Sequence, residues 1–379
     1  MLDVAIVGGG PVGATLSALA AASGLSIAVL EARPGPAREG RILALSHGSR
    51  ETLEDAGAWP AANATAIETI HISQRGGPGR ALLEASEQEL PALGYTVSYA
   101  ELEAALERSL KARGVELRYG AACEAIELSP EAAVVKLAGG ESVAARLLVL
   151  ADGGAGAAKI PGIHVDRKGY GQQAVTALVA TDRPHGGRAY ERFTPEGPLA
   201  LLPVSGDRYA LVWTADPARA AALLSLADDV FLVQLQEAFG DRAGRFVSVE
   251  PRKAFPLELR VANTPVALRT AIVGNAAQAL HPIAGQGLNL GLRDAAALAS
   301  LLRSTAREAV GGTAMLEDYR AARHRDASRG VAFTDFLVSA FADARRLPTW
   351  GRGLALAALD LLPPARRLLA ERMIYGARA

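Results

Sequence analysis

GNAAQALHPIAGQGLNLGLRD, residues 274–294, brings an apolar strand end, a His-Pro pair and a glycine-rich helix start into one short stretch. Thr270 to Val273 just ahead of it read as a buried strand. Gly285, Gln286, Gly287, Leu288 and Asn289 read as the N-terminus of a helix, whose first backbone N–H groups have no intrahelical partner. Such an end stabilises negative charge, so the stretch is suited to the pyrimidine edge of a reduced flavin. In isolation, an ordinary strand-glycine-helix junction would read the same.

The start of the chain supplies a second motif. Val4 to Val7, then Gly8-Gly9-Gly10-Pro11-Val12-Gly13, fit strand, G-x-G-x-x-G turn and helix, with Ile27 to Leu30 as the next strand and Glu31 at its end. In this dinucleotide fingerprint Gly8 makes the turn, Gly10 lets a pyrophosphate approach the backbone, and Gly13 lets the helix pack on the sheet. Glu31 stands near the spacing of a ribose-hydroxyl acceptor.

Between the two motifs, Arg146 to Leu150 read as a strand followed by Ala151-Asp152-Gly153-Gly154. Asp152 is either a carboxylate near the nucleotide or a cap on the next element. Leu102, Ala105, Leu106 and Leu110 form a helical stripe over Glu101 to Lys111, leading through Gly114 into a strand from Val115 to Arg118. The pattern then changes to strands at Ala174 to Ala180, Leu199 to Leu202, Tyr209 to Trp213 and Arg252 to Leu259. Ser205-Gly206-Asp207 is a hairpin signal.

The expected organisation is α/β. A Rossmann-like FAD-binding domain spans 1–165 and 262–334, and a mainly antiparallel substrate domain is inserted at 166–261, with 70–98 contributing to it. C-terminal helices occupy 335–379. In the last segment Arg345, Arg346, Arg352, Arg366, Arg367 and Arg372 flank an apolar run, Gly353 to Leu362, and Pro363-Pro364 break any single long helix. The tail is read either as a helical pair packed on the flavin domain with solvated arginines, or as an element that meets anionic lipid or a partner.

At 379 residues, 50% of them hydrophobic, the chain can bury a core for two domains. Forty basic and forty acidic residues cancel, which gives no reason to expect nucleic acid. The single Cys123 excludes a disulfide framework and thiolate metal clusters and suits a reducing cytoplasm. His47, His71, His164, His185 and His324 lie at no metal-binding spacing. Residues 4–30 carry no charge, but glycines and a proline interrupt them and no basic segment precedes them. A cytoplasmic protein without an export signal is therefore expected, at most peripheral to the inner face of the membrane.

Asp152-Gly153 and the 274–294 stretch together resemble the FAD-dependent aromatic hydroxylases, whose fold is that of para-hydroxybenzoate hydroxylase. Where that superfamily usually has Gly-Asp-Ala-Ala-His, this chain has Asn275 for the acid and Gln278 for the histidine, with His281-Pro282 just beyond. GNAAQ, LHPIAGQG and NLGLRD, with ERFTPEGPLALLPVSGDRYALVW further upstream, resemble the ubiquinone-biosynthesis hydroxylases, in particular the bacterial 2-polyprenyl-6-methoxyphenol hydroxylase branch.

The resemblance implies FAD. It places Gly8, Gly10, Pro11, Val12 and Gly13 at the pyrophosphate, Glu31 at the adenosine ribose with Ala32 and Arg33 beside it, and Arg41 near the phosphates or the flavin edge. Asn275 would meet the ribityl chain, an amide still able to hydrogen-bond hydroxyls. Gly285 to Asn289 and Pro282 would face the isoalloxazine, and Asp152 and Gly153 would also touch the cofactor. In the middle motif Gly156 and Lys159 stand where relatives have Ser and Arg, and Tyr99 stands where many have an arginine, so no dedicated NADPH pocket is assigned. The electron donor is expected to be NAD(P)H or a partner reductase.

The implied reaction is monooxygenation: reduced FAD and O2 form a C4a-hydroperoxide, and its distal oxygen passes to the ring of a phenol bearing an isoprenoid tail. His281 is the candidate for proton handling, with Pro282 orienting the oxygen through its carbonyl; a structural histidine fits the same sequence. Leu199, Leu201, Pro203 and Trp213 are the expected apolar wall for substrate, although alternating strand residues are also plain core. Rival readings are another flavin monooxygenase or epoxidase, and an FAD-containing subunit that assembles a quinone-biosynthesis complex.

Overall fold

The computed structural model describes residues 1–36, 40–77, 79–281, 285–342 and 349–376, the side chains of residues 331, 333–352, 354 and 355 excepted. Three sheets organise the chain. The first runs β19 (Thr270–Ile272), β11 (Ser142–Leu150), β1 (Leu2–Val7), β2 (Ile27–Glu31) and β8 (Glu116–Tyr119), all parallel. At one edge β18 (Val266–Ala267) pairs antiparallel with β19. β9 (Cys123–Leu128) and β10 (Ala133–Leu137) extend β11 as an antiparallel meander.

β1 and β2 are apolar at nearly every position because both sheet faces are covered. Val4 and Ile6 point toward α1 (Pro11–Ala20), α6 (Gln286–Ser304) and the start of α7 (Thr313–Ala342), where they meet Leu16, Leu298 and Tyr319. Ala5 and Val7 point the other way, into a core shared with the meander. Helix α1 starts at Pro11, where a missing N–H does no harm. Its buried hydroxyls are satisfied locally: Thr15 donates to the Pro11 carbonyl (2.6 Å) and Ser17 to that of Gly13 (2.7 Å).

The second sheet runs β20 (Gln278–Ala279), β17 (Lys253–Ala262), β12 (Val165–Thr181), β15 (Arg208–Ala215), β14 (Gly197–Val204), β13 (Arg188–Thr194), β5 (Thr69–Gln74) and β6 (Arg80–Glu84), with β16 (Phe246–Val249) on β12. Every pairing is antiparallel except β13 with β5. β14 and β15 form a hairpin closed at Ser205–Asp207. One face of the sheet is covered by α4 (Pro217–Ser225) and α5 (Asp228–Phe239), which pack on Trp213, Tyr209, Leu199 and Leu201.

A small sheet, β3 (Ile42–Ser46), β7 (Gly94–Ser98) and β4 (Thr65–Ile67), lies between the two large ones. Thr96 ties it to the second sheet by donating to the Pro203 carbonyl (2.5 Å). Ser46 and Ser98 cap the helices that follow, α2 (His47–Asp55) and α3 (Tyr99–Ala112).

The C-terminal segment is a helical pair, α8 (Thr349–Leu361) and α9 (Pro363–Tyr375), broken just before Pro363-Pro364. It packs mainly on β5 and β6 of the second sheet, through Leu83, Ala370 and Ile374, and only secondarily on α2 and β3. Arg366 is not merely solvated, since it is paired with Glu87; Asp360 accepts the Leu82 N–H (3.0 Å).

Candidate functional site

Two hollows meet at the N-terminus of α6. The larger, a cleft of about 930 Å³, runs along the C-terminal ends of the parallel strands, where an open α/β sheet binds its ligand. Its walls include Gly8, Gly10, Pro11 and Val12 from the β1–α1 turn, and Glu31, Ala32 and Arg33 from the end of β2. Of the expected set, Arg41, Asp152, Gly153, Asn275, Gly285, Gly287 and Leu288 also line it, whereas Gln286 and Asn289 do not. Gly13 does not line the cleft, and Pro282 lies outside the described residues.

The β1–α1 turn fits a pyrophosphate by what it leaves out. Gly8 has φ +106°, and a Cβ there would stand 2.5 Å from the Ala151 carbonyl carbon. A Cβ on Gly13 would stand 2.1 Å from the Gly8 oxygen, so only glycine lets α1 begin this close to the strand. Gly10 is different. A Cβ there would meet nothing nearer than the Tyr99 hydroxyl at 3.7 Å, so its bare backbone opens onto the cleft.

Glu31 is held in place before any ligand arrives. It accepts from the Gly9 N–H (2.8 Å), the Arg33 N–H (2.9 Å) and Arg33 Nε (3.0 Å), and Arg33 reaches on to Glu103 (2.6 Å). Burial alone would raise the Glu31 carboxyl. The hydrogen bonds from Arg33 and Gly9 outweigh it and keep the group below the usual carboxylate range, ionised and fixed at the cleft edge.

Asp152 lines the cleft, but its carboxylate also closes the following turn, accepting from the Gly154 N–H (2.9 Å) and the Gly156 N–H (2.6 Å). A Cβ at residue 156 would lie 2.7 Å from that carboxylate. Tyr99 opens α3 in the cleft wall, with the Arg41 guanidinium 4.9 Å from its ring centroid. The cation is thereby stacked at the cleft mouth. Ala121, Ala122 and Cys123 also line the cleft, and no motif announced them.

The second hollow, about 430 Å³, is almost wholly apolar. Ile70, Ile72 and Leu83 from β5 and β6 form one wall, Ala200, Leu202 and Val212 a second, and Leu356, Leu359, Leu369 and Met373 of α8 and α9 a third. Ala44 and Gly285 line both hollows, so the two share a boundary at β3 and the α6 start. Gly285 has φ +61°, with the Ala44 side chain packed against it. No side chain caps α6. Asn289, one turn in, accepts from the Ser46 N–H (2.9 Å) and donates to the carbonyls of Ala44 (3.2 Å) and Gly285 (2.7 Å). Gln286 and Asn289 face the apolar cavity, while Gly287 and Leu288 face the cleft.

Two sets of sequence-derived residues need correction. Leu199, Leu201 and Trp213 do not line the cavity; they are essentially fully buried on the opposite face of the sheet, under α4 and α5. Pro203 does not line it either. Successive strand residues point to opposite faces, and the cavity takes the alternate set, Ala200, Leu202 and Val212. His281 lines neither hollow. It is 1% exposed and packs edge-on against Tyr170, with ring centroids 5.3 Å apart. Burial pushes its pKa down to about 4, so the ring is neutral at physiological pH.

Gln278 also has a structural part. Its amide donates to Asp294 (2.7 Å), which accepts from the Gly274 N–H (3.0 Å) and pairs with Arg323 (2.7 Å), tying the end of β19 to α6 and α7.

Residues 1–334 match the family model described as an FAD binding domain. The chain is 35% identical to the ubiquinone hydroxylase UbiL of Rhodospirillum rubrum over 97% of its own length and 88% of the relative's. It is 34% identical to the 3-demethoxyubiquinol 3-hydroxylase of Escherichia coli over 79% of each. Among solved structures, p-nitrophenol 4-monooxygenase PnpA of Pseudomonas putida superposes with a TM-score of 0.78 at 20% identity, covering 100% of this chain and 99% of that one. With a glycine turn shaped for a pyrophosphate, a fixed acid at the end of β2 and an uncapped helix start between the hollows, the chain belongs to the FAD-binding domain family, and FAD is its cofactor.

Proposed function

We propose that the protein is a flavin-dependent monooxygenase that hydroxylates the aromatic ring of a polyprenylated phenol in ubiquinone biosynthesis. The observation that carries this reading is the apolar cavity that meets the FAD cleft at Ala44 and Gly285. A phenol placed at that junction has its ring beside the cofactor and its tail against isoleucine, leucine and methionine side chains. Each buried methylene contributes about 0.8 kcal/mol, so the first isoprene unit dominates recognition. The named activities of the relatives support the same substrate class.

FAD, when bound and reduced, supplies the activation of O2 for transfer of one oxygen atom. This chain's own residues bind and orient. The β1–α1 turn and Glu31 hold the nucleotide end, and the positive end of the α6 dipole favours negative charge at the junction. The apolar walls exclude water from the junction beside which the cofactor would be held. The ring sits beside Gln286 and Asn289, which line the cavity at the start of α6. Electrons come from NAD(P)H or from a partner reductase.

The cavity wall that α8 and α9 provide ends at an exposed apolar corner. Their connecting corner exposes Leu361 (79%), Leu362 (56%) and Leu368 (44%), with Arg367 and Arg372 also exposed on α9. That corner is suited to a membrane surface, which supports a peripheral position on the membrane that holds a lipid substrate. Among the described residues no helix is long and apolar enough to cross a membrane.

The test is turnover by the purified, FAD-loaded protein with a reductant, a polyprenyl phenol and 18O2. Labelled oxygen is expected in the ring, with a tail-free phenol turned over far less efficiently. Unlabelled product, or equal specificity for the tail-free phenol, removes the proposal.

A further inference from the structure

The second sheet carries a patch of arginines. Arg188 and Arg192 of β13 and Arg80 of β6 point to the face opposite the cavity, because their neighbours Ala189, Glu191 and Phe193, and Leu83 of β6, line the cavity. Register tightens the group. Arg192 pairs across from Ser73, and Ser73 across from Arg80, so the two arginine Cα atoms stand two strand spacings apart, about 10 Å.

Arg75, just beyond β5, and Arg242, in the loop after α5, join them; the Arg242 carbonyl accepts from the Tyr190 hydroxyl (3.1 Å). Arg75, Arg80, Arg188 and Arg242 are exposed and Arg192 is half-buried. Arg192 spends its donors on the Ala238 carbonyl (3.3 Å) and the Ser73 hydroxyl (3.3 Å). Among the described residues none of the five is paired with a carboxylate, although the chain as a whole balances forty basic residues with forty acidic ones.

At the centre lies His71, 6% exposed, with no hydrogen-bond partner at Nδ1. Burial first, and then Arg242, Arg80 and Arg188, push its pKa down to about 4. Like charges gathered on neighbouring strands are destabilising, and the fold gains no packing from the exposed ones.

We propose that this face is the docking surface for a protein partner whose own surface is acidic. A flat, spread array of guanidinium forks matches several carboxylates at once, bidentately, and arginine is a residue that interfaces favour. A lipid surface fits less well. Among the described residues, β5, β6 and β13 expose no large apolar side chain to insert, and the exposed leucines of the α8–α9 corner belong to helices on the other face of the same strands. The inference does not depend on which reaction the flavin carries out.

The experiment places a photoreactive benzophenone side chain at position 188 of the full-length, FAD-loaded protein in its own cells, with a control probe at position 361. Cross-linking from 188 to a protein segment rich in Asp and Glu is expected. The double variant Arg188→Glu/Arg242→Glu is expected to lower that complex about tenfold or more while keeping its flavin, and reversing the acids in the cross-linked segment is expected to restore it. Vesicles of phosphatidylglycerol and phosphatidylethanolamine form the lipid arm, and the double variant should bind them as the wild type does. Any one of three results overturns the proposal: no cross-link from 188 above that from 361, a complex indifferent to charge reversal, or vesicle binding that falls in the double variant.

Discussion

The two hollows are built on opposite principles. The FAD cleft is shaped by backbone: three short turns, each contiguous in sequence, bring bare glycines and a fixed carboxylate to the ends of parallel strands. The cavity is shaped by side chains from strands and helices scattered from Ala44 to Ile374, and no two of its walls are neighbours in the chain. A backbone-built site tolerates no added atoms at its tightest glycines, such as Gly8, but carries little of the protein's specificity. A side-chain-built site can be resized one residue at a time.

The largest effect should come from breaking the backbone principle. Gly13→Ala puts a methyl 2.1 Å from the Gly8 oxygen, and we expect a loss of about 3 kcal/mol or more, with protein recovered flavin-free or unfolded. Gly10→Ala meets nothing closer than 3.7 Å, so it should fold normally and lose only FAD affinity, read by titrating apoprotein with FAD. Wild-type affinity in Gly10→Ala would mean that the pyrophosphate does not approach this turn.

A second pair tests the face assignment of β14. Ala200→Phe should fill the cavity and lower kcat/KM for a polyprenyl phenol about a hundredfold with little change in Tm. Leu201→Ala, one residue on, should instead remove about 2–5 kcal/mol of stability while leaving substrate preference alone. If the two variants exchange phenotypes, the sheet faces have been assigned the wrong way round.

The smallest effect concerns His281. Its folded pKa of about 4 lies below the ordinary histidine value of 6.5, so the unfolded chain takes up a proton that the folded one refuses. The stabilisation is complete above pH 6.5 and is lost as pH falls toward 4, by up to about 3 kcal/mol. His281→Phe should flatten that part of the stability profile measured by urea unfolding and leave the pH dependence of kcat unmoved. A shift of the kcat profile at unchanged flavin content would return His281 to the chemistry.

The same contrast decides what could be read from sequence. Gly8, Gly13 and Gly285 are legible because a left-handed turn or a close approach demands one residue type, and the fingerprint needs strand, turn and acid in fixed order. Leu201 and Leu202 were not separable, since alternation defines two faces without saying which one carries α4 and α5. The tail gave its helices and its break at Pro363, but nothing in Leu369 or Met373 announces that they wall a cavity begun some three hundred residues earlier. Asp152 and Gln278 matched motif positions, and the structure engages both in local hydrogen bonds that a motif cannot distinguish from ligand contacts. Ile70 and Ile72 carried a usable signal in the alternation of β5.

Asn289 ties Ser46, Ala44 and Gly285 together at the one boundary the hollows share. Its consequence is thermodynamic reciprocity. If filling the cavity displaces that three-way clasp in a direction that tightens the cofactor, then the cofactor must tighten the occupant of the cavity by the same factor, and a variant at residue 289 that uncouples one effect uncouples both.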